Sequence, residues 1–202
     1  MKKFKNIAII MIAGLMASGC SINKETVIGS GDVDAMEVRL PAFNGVSVTG
    51  TCDVEIVIGE MQAVEFYAQS EILDVLKYEV INDMLHIGFK PDYNVNTSKE
   101  IRAEITIPSL SFIGVTGEGS FDLEGAQQEL LDIQITGAGD VEAFDMEVNI
   151  CNIYISGVGN CNVNVINTLD VNISGVGNIH YMGDPEISTD VSGVGSVTAL
   201  TP

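Results

Sequence analysis

The feature that most constrains this chain of 202 residues is a short glycine phrase that returns at a nearly fixed interval. In five copies, an apolar residue and a Thr or Ser precede two glycines that are separated by one residue. The copies begin at residues 115, 135, 155, 173 and 191, so the intervals are 20, 20, 18 and 18 residues. A degenerate copy, VTGTCDV, begins at residue 48 and has Cys52 in place of the second glycine. Such a repeat indicates structural units that stack on one another.

Apolar and polar residues alternate around each glycine phrase, as in LDIQI, CNIYI and LDVNI before it. Alternation of period two predicts strands with one buried face, and no segment between copies has the pattern of a crossover helix. When the copies are aligned, apolar and polar positions separate into columns; one apolar column is Ile135, Ile155, Ile173 and Val191. We therefore predict an all-β fold, a parallel β-helix or solenoid with about 18–20 residues per coil.

We predict that the glycines turn the chain rather than hold a ligand. The first glycine of a phrase would allow a positive φ at a corner, and the second would allow adjacent copies to approach. A dinucleotide loop needs a long helix after it, a calcium repeat needs a carboxylate in every copy, and a catalytic elbow needs a serine between the glycines. The copies meet none of these conditions. The predicted turn glycines are Gly117, Gly119, Gly137, Gly139, Gly157, Gly159, Gly175, Gly177, Gly193 and Gly195.

The outward columns supply the candidate binding face. Their members are polar or acidic and would form rows across neighbouring copies. The candidate residues are Asp122, Glu142, Asn162, Asp132, Asn152 and Asp170.

The N-terminus predicts export and a lipid anchor. Three lysines and an apolar run from Ile7 to Met16 have the pattern of a secretory signal, and small residues precede Cys20 as in a lipoprotein box. We predict a signal peptide at 1–19, lipidation of Cys20, and a flexible tether at 20–37. Ser21 favours the outer membrane over the inner one, with the membrane contacted only through the lipid. The face of the outer membrane, surface or periplasmic, is left open.

Charge and side-chain chemistry exclude several classes of partner. Without the signal peptide, six basic residues stand against 28 acidic ones, a net charge of −22, which argues against nucleic acid and anionic lipid surfaces. The two histidines are far apart and no CxxC pair exists, so we predict no metal site, no cofactor and no catalytic residues. Cys151 and Cys161 occupy apolar columns and are predicted to be small buried residues, although one disulfide among Cys52, Cys151 and Cys161 stays open.

Residues 38–202 are predicted to form one domain, with an N-terminal half at 38–110 and the glycine-repeat coils at 111–202. The N-terminal half is rich in strands, and Asn82-Asp83 has the composition of a hairpin turn. Since one end of a solenoid must be covered, we predict that this half is a β-rich cap.

Three stretches, FNGVSVTGTCDVEIVIG, EITIPSLSFIGVTGEGSFDL and the ISGVGN repeats, resemble the putative auto-transporter adhesin head domain family, also called the GIN domain, of Bacteroidetes envelope proteins. The resemblance covers residues 38 to 200. It implies a right-handed, pectin-lyase-like β-helix and a function in adhesion, and it implies no catalytic residues.

These observations favour an envelope adhesion module that binds a glycan or a host or matrix protein. Two alternatives stay open. The first is a polysaccharide-active enzyme that uses Asp122 and Glu142 as paired carboxylates. The second is a structural envelope protein that forms homo-oligomers through an uncovered strand edge.

Overall fold

The structure is a computed structural model that describes residues 24–200, so the predicted signal peptide and Cys20 lie outside it. Sixteen strands and one short helix follow one another along this range. No helix in it is long and apolar enough to cross a membrane. The elements are β1 (Glu25–Ile28), β2 (Val33–Val38), β3 (Gly45–Val48), β4 (Asp53–Ile58), β5 (Ala63–Gln69), α1 (Ser70–Leu73), β6 (Leu76–Ile81), β7 (Met84–Phe89), β8 (Tyr93–Asn96), β9 (Arg102–Ile107), β10 (Phe112–Val115), β11 (Phe121–Ile135), β12 (Val141–Ile155), β13 (Cys161–Ile173), β14 (Val176–Met182), β15 (Glu186–Val191) and β16 (Val194–Ala199).

The repeated copies pair in parallel and in register, as the columns predict. Ile135 lies opposite Ile155, and Ile155 lies opposite Ile173 on the next strand. The degenerate copy joins the same stack, because Val48 pairs with Val115 although 67 residues separate them. The alignment of the glycine phrases is therefore an alignment of strands in space.

The prediction of a right-handed parallel β-helix is wrong. The fold is all-β, but 14 of the strands form one curled, open sheet of mixed strands, shaped like half a barrel. Antiparallel pairs (β2 with β5, β5 with β9, β6 with β7) belong to the same sheet as the parallel repeats. The remaining strands, β1 and β8, form a separate parallel pair.

The β-helix prediction fails mainly at the segments that were expected to return the chain from one coil to the next. The sequence pattern suggested two short strands joined by a return in each coil, but β11 and β12 are each 15 residues long and continue through that segment. Their pairing shifts register between Asp122 and Gln128, and these irregularities bend the strand. The side chain of Gln128 is buried there; its Oε1 accepts from Leu110 N (2.9 Å) and its Nε2 donates to Ala126 O (2.9 Å).

Because each long strand bends, its two halves pair with different strands. The first half of β11 pairs with β4, and its second half pairs with β10. The sheet thereby branches into a β4–β9–β5–β2 arm and a β10–β3–β7–β6 arm. Apolar residues from both halves of the long strands are buried in one core, for example Leu123 and Ile133, and each contributes about 1.5–3 kcal/mol by leaving water.

The cysteines are part of this core. Cys52, Cys151 and Cys161 are buried and unpaired, which confirms the prediction for Cys151 and Cys161. Burial raises the pKa of the Cys52 and Cys151 thiols to about 12, with nearby carboxylates adding to the effect. They pack as small apolar side chains.

The N-terminal half does not form a separate cap, because its strands extend the arms of the sheet. Residues 25–28 form β1 and residues 33–38 form β2, and all of them except Val38 belong to the predicted tether. The predicted hairpin is confirmed: Asn82 and Asp83 both have positive φ (51° and 61°) between β6 and β7.

The glycine columns are explained by close contact between backbones. The first glycines of the phrases do not have positive φ, so that part of the prediction is wrong. A Cβ built on Gly157 would instead overlap the carbonyl oxygen of Gly137 one copy earlier, and a Cβ on Gly159 would overlap that of Gly139. The prediction that the second glycine permits close approach is correct, and the same reason applies to the first.

Gly157→Ala should therefore destabilise the fold by about 3 kcal/mol, because the backbone between two long strands must move to accommodate the methyl group. Val158→Ala is the matched control, since Val158 is exposed and the preceding copy has Ala138 at this position. We expect the control to change stability by less than about 0.5 kcal/mol. Urea unfolding monitored by circular dichroism measures both, and equal effects of the two substitutions would contradict the close-contact explanation.

Candidate functional site

A concave surface of about 700 Å³ crosses the outer face of the sheet. It extends over β4, the first halves of β11, β12 and β13, and β14, and we call it the acidic groove. Six carboxylates line it, together with Ser120, Asn160, Asn162 and His180. The carboxylates are Asp53, Glu55, Glu100, Asp122, Asp140 and Glu142.

Strand alternation places these side chains on one face. In β11, Phe121 and Leu123 point into the core, so Asp122 between them points outward. The register then aligns Asp122 with Glu55 on one side and with Glu142 on the other. Directly paired positions on adjacent strands lie about 4.8 Å apart, so three carboxylates occupy neighbouring places in one row.

Where each strand leaves the glycine phrase, a second row is held by hydrogen bonds. Asp53 Oδ1 accepts from Ser120 N (2.8 Å) and Ser120 Oγ (2.6 Å). In the next copies, Asp140 Oδ1 accepts from Asn160 N (2.7 Å), and Asn160 Oδ1 accepts from Asn178 N (3.1 Å). Short polar side chains thus bond to the copy beside them, and these bonds hold one wall of the groove in a defined shape.

The row that contains Glu142 continues through an amide to a histidine. Asn162 Nδ2 donates to Glu142 Oε2 (2.7 Å), which leaves Asn162 Oδ1 to accept from His180 Nδ1 (3.1 Å). His180 therefore carries a proton on Nδ1. These three side chains are only partly exposed and keep one another in place.

Arg102 compensates the carboxylates at one end of the site. It forms ion pairs with Glu55 (3.0 Å) and Glu104 (2.9 Å), and its guanidinium lies 4.7 Å from the centroid of the Tyr67 ring. No Lys or Arg of residues 24–200 forms an ion pair with Asp122, and the sequence has no basic residue after Arg102 apart from His180. Negative charge is thus uncompensated at the centre of the groove.

This excess of negative charge affects the protonation of Asp122. Partial desolvation raises the pKa of its carboxyl group, and the charges of Glu142, Glu55 and Asp145 raise it further. A cation placed beside Asp122 would relieve that repulsion, whereas an anion would increase it. The arrangement suits a positively charged ligand.

The structure divides the predicted binding face into two parts. Asp122, Glu142 and Asn162 line the acidic groove, whereas the row of Asp132, Asn152 and Asp170 lies on the second halves of the long strands, outside it. Asp53, Glu55 and Glu100 were not predicted for the site, because they lie before the full repeats in sequence. The degenerate copy could have revealed the contribution of Asp53, since aligning it with the first full copy places Asp53 at the position of Ser120.

Asp122 and Glu142, the pair considered for catalysis, are direct neighbours in register. Each has a different environment, because Glu142 accepts a hydrogen bond from Asn162 whereas the pKa of Asp122 is raised by desolvation and by the surrounding carboxylates. Among residues 24–200, no group of three or more His, Cys, Asp or Glu side chains has the geometry of a metal site.

Comparison with known proteins identifies the family. The family model described as "Putative auto-transporter adhesin, head GIN domain" matches residues 42–137 and 116–185, which together include most of the chain and all residues that line the acidic groove. The chain belongs to this family. The resemblance inferred from the glycine phrases is thereby confirmed. No curated protein matches the chain.

One solved structure supports the fold of this GIN-family chain. A putative adhesin from Bacteroides fragilis NCTC 9343 is 20% identical, with a TM-score of 0.60, and the match covers 86% of this chain and 100% of that one. At this identity the likeness shows the fold alone. A putative lipid binding protein from Parabacteroides distasonis ATCC 8503 is 19% identical with a TM-score of 0.49, covering 88% of this chain and all of that one.

Asp122→Asn should stabilise the GIN domain at neutral pH. The folded-state pKa of Asp122 is raised above its unfolded-state value, so ionisation opposes folding at pH values above the folded-state pKa, and the penalty is absent below the unfolded-state pKa. Because the side chain is exposed, solvent screening limits the gain to about 0.5 kcal/mol. Urea unfolding at pH 7 and at about pH 3 measures it, and the gain should vanish at the lower pH.

Asp190→Asn is the control for this experiment, since Asp190 lies on β15, outside the acidic groove. A gain at Asp122 that persists unchanged at the lower pH, or that the control reproduces, would contradict the electrostatic explanation.

Proposed function

We propose that this chain is a non-catalytic adhesion module of the cell envelope, tethered by a lipid on Cys20, that binds cationic segments of partner proteins in the acidic groove. Membership of the adhesin head family supports the adhesive part of the proposal. The signal-like N-terminus and the small residues before Cys20 support export and the lipid anchor to the outer membrane.

The ligand class is inferred from the row of Glu55, Asp122 and Glu142, in which the last two carboxylates form no ion pair with any part of residues 24–200. Arg102 pairs with the first of these but not with the other two. Lys or Arg side chains of a ligand would complete the row with charge-assisted hydrogen bonds, and they would be attracted from a distance by a chain with a large negative charge. Complementary charge of this kind gives specificity and fast association.

The size of the groove favours a protein segment over a small cation. Five adjacent strands, from β4 to β14, contribute to it, and at a spacing of about 4.8 Å they span about 19 Å. An extended peptide rises about 3.3 Å per residue, so five or six residues fit along this span. Hydrogen bonds to Asp53, Asp140 and Glu142, and the ion pair of Glu55 with Arg102, hold four of the carboxylates in place, which lowers the entropic cost of binding.

Binding of an octalysine peptide to the mature chain with Cys20→Ser tests the ligand class. The triple variant Glu55→Gln, Asp122→Asn, Glu142→Gln should weaken binding by at least about tenfold, because it removes the charges of the central row. The matched control is Asp184→Asn, Glu186→Gln, Asp190→Asn, which changes the net charge by the same amount outside the groove. Fluorescence anisotropy measures the affinity, and binding should weaken as salt increases.

Equal losses in the two triple variants would indicate attraction by net charge alone and would overturn a specific groove site. Light scattering and a polysaccharide digest on the same samples address the alternatives. Ordered oligomers without peptide binding would favour a scaffold, and depolymerised polysaccharide would favour an enzyme.

The anchor is tested separately by Cys20→Ser in the full precursor. The wild-type chain should be recovered with outer membranes and should incorporate labelled fatty acid, whereas the variant should lose both properties because no thiol is left for acylation. Release of the variant without any change in fatty-acid labelling would contradict the proposed anchor.

A further inference from the structure

Tyr154 is the one strongly exposed aromatic side chain of residues 24–200. It is 49% exposed, whereas the other Phe and Tyr residues in this range are buried or partly buried. It lies on the second half of β12, and none of the residues that line the acidic groove adjoins it in register. An exposed ring on an otherwise polar face is typical of a binding surface.

The strand register surrounds this ring with polar side chains. Gln134 and Asn172 lie directly opposite Tyr154 on the two adjacent strands. Asn152 and Ser156 are two residues away on either side along its own strand and share its face. The diagonal positions are also polar, and they are Asp132, Thr136, Asp170 and Ser174.

A depression of about 220 Å³ lies beside the ring. Its lining includes Tyr154, Gln134 and Asn172, together with the hydroxyl-bearing residues Thr136, Ser156 and Ser174. The space is too small for a folded partner but has the size of one or two sugar rings. We call this depression and its eight polar neighbours the Tyr154 face.

We propose that the Tyr154 face binds a neutral saccharide. A sugar ring presents a face of C–H groups, which packs on an aromatic ring, and a rim of hydroxyl groups that both donate and accept hydrogen bonds. Gln134 and Asn172 supply amides with the same double capacity on either side of the aromatic ring. Asn152 Nδ2 donates to Asp132 Oδ1 (2.7 Å), and its Oδ1 can accept from a sugar hydroxyl.

Charge selects among saccharides. Asp132 and Asp170 flank the face, and residues 103–202 contain no Lys or Arg, so a sulfated or carboxylated glycan would be repelled. A purely apolar ligand would leave the surrounding amides and hydroxyls without hydrogen-bond partners, and each unpaired group would lower the binding affinity. A neutral saccharide satisfies both the ring and its polar surroundings.

The expected affinity is low for one sugar. A ligand with about a dozen heavy atoms on a shallow surface has a Kd on the order of 1 mM. Many copies of the chain on one membrane would raise the effective affinity for a polymeric glycan without any further contact. The inference does not depend on the acidic groove, because the two surfaces use different halves of the long strands.

The test is an NMR titration of the mature chain with Cys20→Ser, using glucose, galactose, mannose and N-acetylglucosamine as probes up to about 50 mM. At least one sugar should shift the ring signals of Tyr154 and the side-chain amide signals of Gln134, Asn152 and Asn172. Glucuronic acid should give no saturable shift at these positions, because of the two flanking carboxylates.

Variants distinguish the contribution of the Tyr154 ring to sugar binding from weak binding elsewhere on the surface. Tyr154→Ala should weaken binding at least about tenfold, whereas Tyr154→Phe, which keeps the ring, should weaken it less than about threefold. Tyr93→Ala, in the separate β1–β8 pair, is the control and should leave binding unchanged. The triple variant of the acidic groove, which should lose peptide binding, should still bind sugar normally. Failure of one proposal is therefore distinguishable from failure of the other.

Three results with sugars would overturn the inference. They are the absence of any saturable shift at Tyr154 with all four neutral sugars, equal binding by Tyr154→Ala and the wild-type chain, and tighter binding of glucuronic acid than of the neutral sugars. Binding of octalysine at Tyr154 instead of sugar would also reject it, in favour of a cation–π site for basic peptides.

Discussion

The close approach of backbones at the glycine columns is the constraint on which the rest of the structure depends. A Cβ at these positions would overlap the carbonyl oxygen of the preceding copy, so each copy can lie only where its glycines meet the glycines before it. This contact sets the register of β11, β12 and β13. Once the register is set, each side chain has a fixed neighbour on the next strand. The register and the alternation of side chains then determine the core columns and the outer rows.

Stacking in register creates an electrostatic problem that the outer rows solve. If every copy carried a carboxylate at the same place, like charges would face one another at about 4.8 Å along a whole row. Instead, Asp140 is followed by Asn160 and Asn178, and Glu142 is followed by Asn162 and His180. An amide can donate to the residue before it and accept from the residue after it, so these two rows continue without a further carboxylate after Asp140 and Glu142. In the second row the carboxylates of Glu55, Asp122 and Glu142 are consequently neighbours, and they form the centre of the acidic groove.

Much of the strand pairing and burial could be predicted from the sequence, because aligning the glycine phrases also aligns the residues that pair on adjacent strands. The pairing of Ile135, Ile155 and Ile173, the burial of Cys151 and Cys161, and the polar rows follow from aligning the glycine phrases. The fold class did not follow. Alternation of period two continues whether a strand ends or bends, so it does not distinguish two short strands from the single bulged strand β11. Nor does alternation show that antiparallel strands such as β5 and β6 extend the same sheet instead of closing it.

The candidate site shows a related limit. In an alignment of columns all outward positions are equivalent, so Asp122 is grouped with Asp132 although the bend in β11 places them on different surfaces. Tyr154 does not stand out in such an alignment either, because its column neighbours Gln134 and Asn172 are outward residues like itself. Distinguishing residues within a column requires knowing which strand half they occupy and what surrounds them there, and both depend on where the strand bends.

The bend therefore gives one repeat two chemically different outer surfaces. Within β12 alone, the residues near Glu142 contribute to an acidic concave surface, whereas those near Tyr154 contribute to a shallow face of amides and hydroxyls. Because both surfaces are built from the same copies, inserting or deleting a copy would lengthen or shorten both at once. A substitution at a single outward position, by contrast, alters one surface and leaves the core and the other surface intact. Glycines that recur in every full copy, and outward residues that differ from copy to copy, thus allow ligand preference to change on this scaffold without a change of fold.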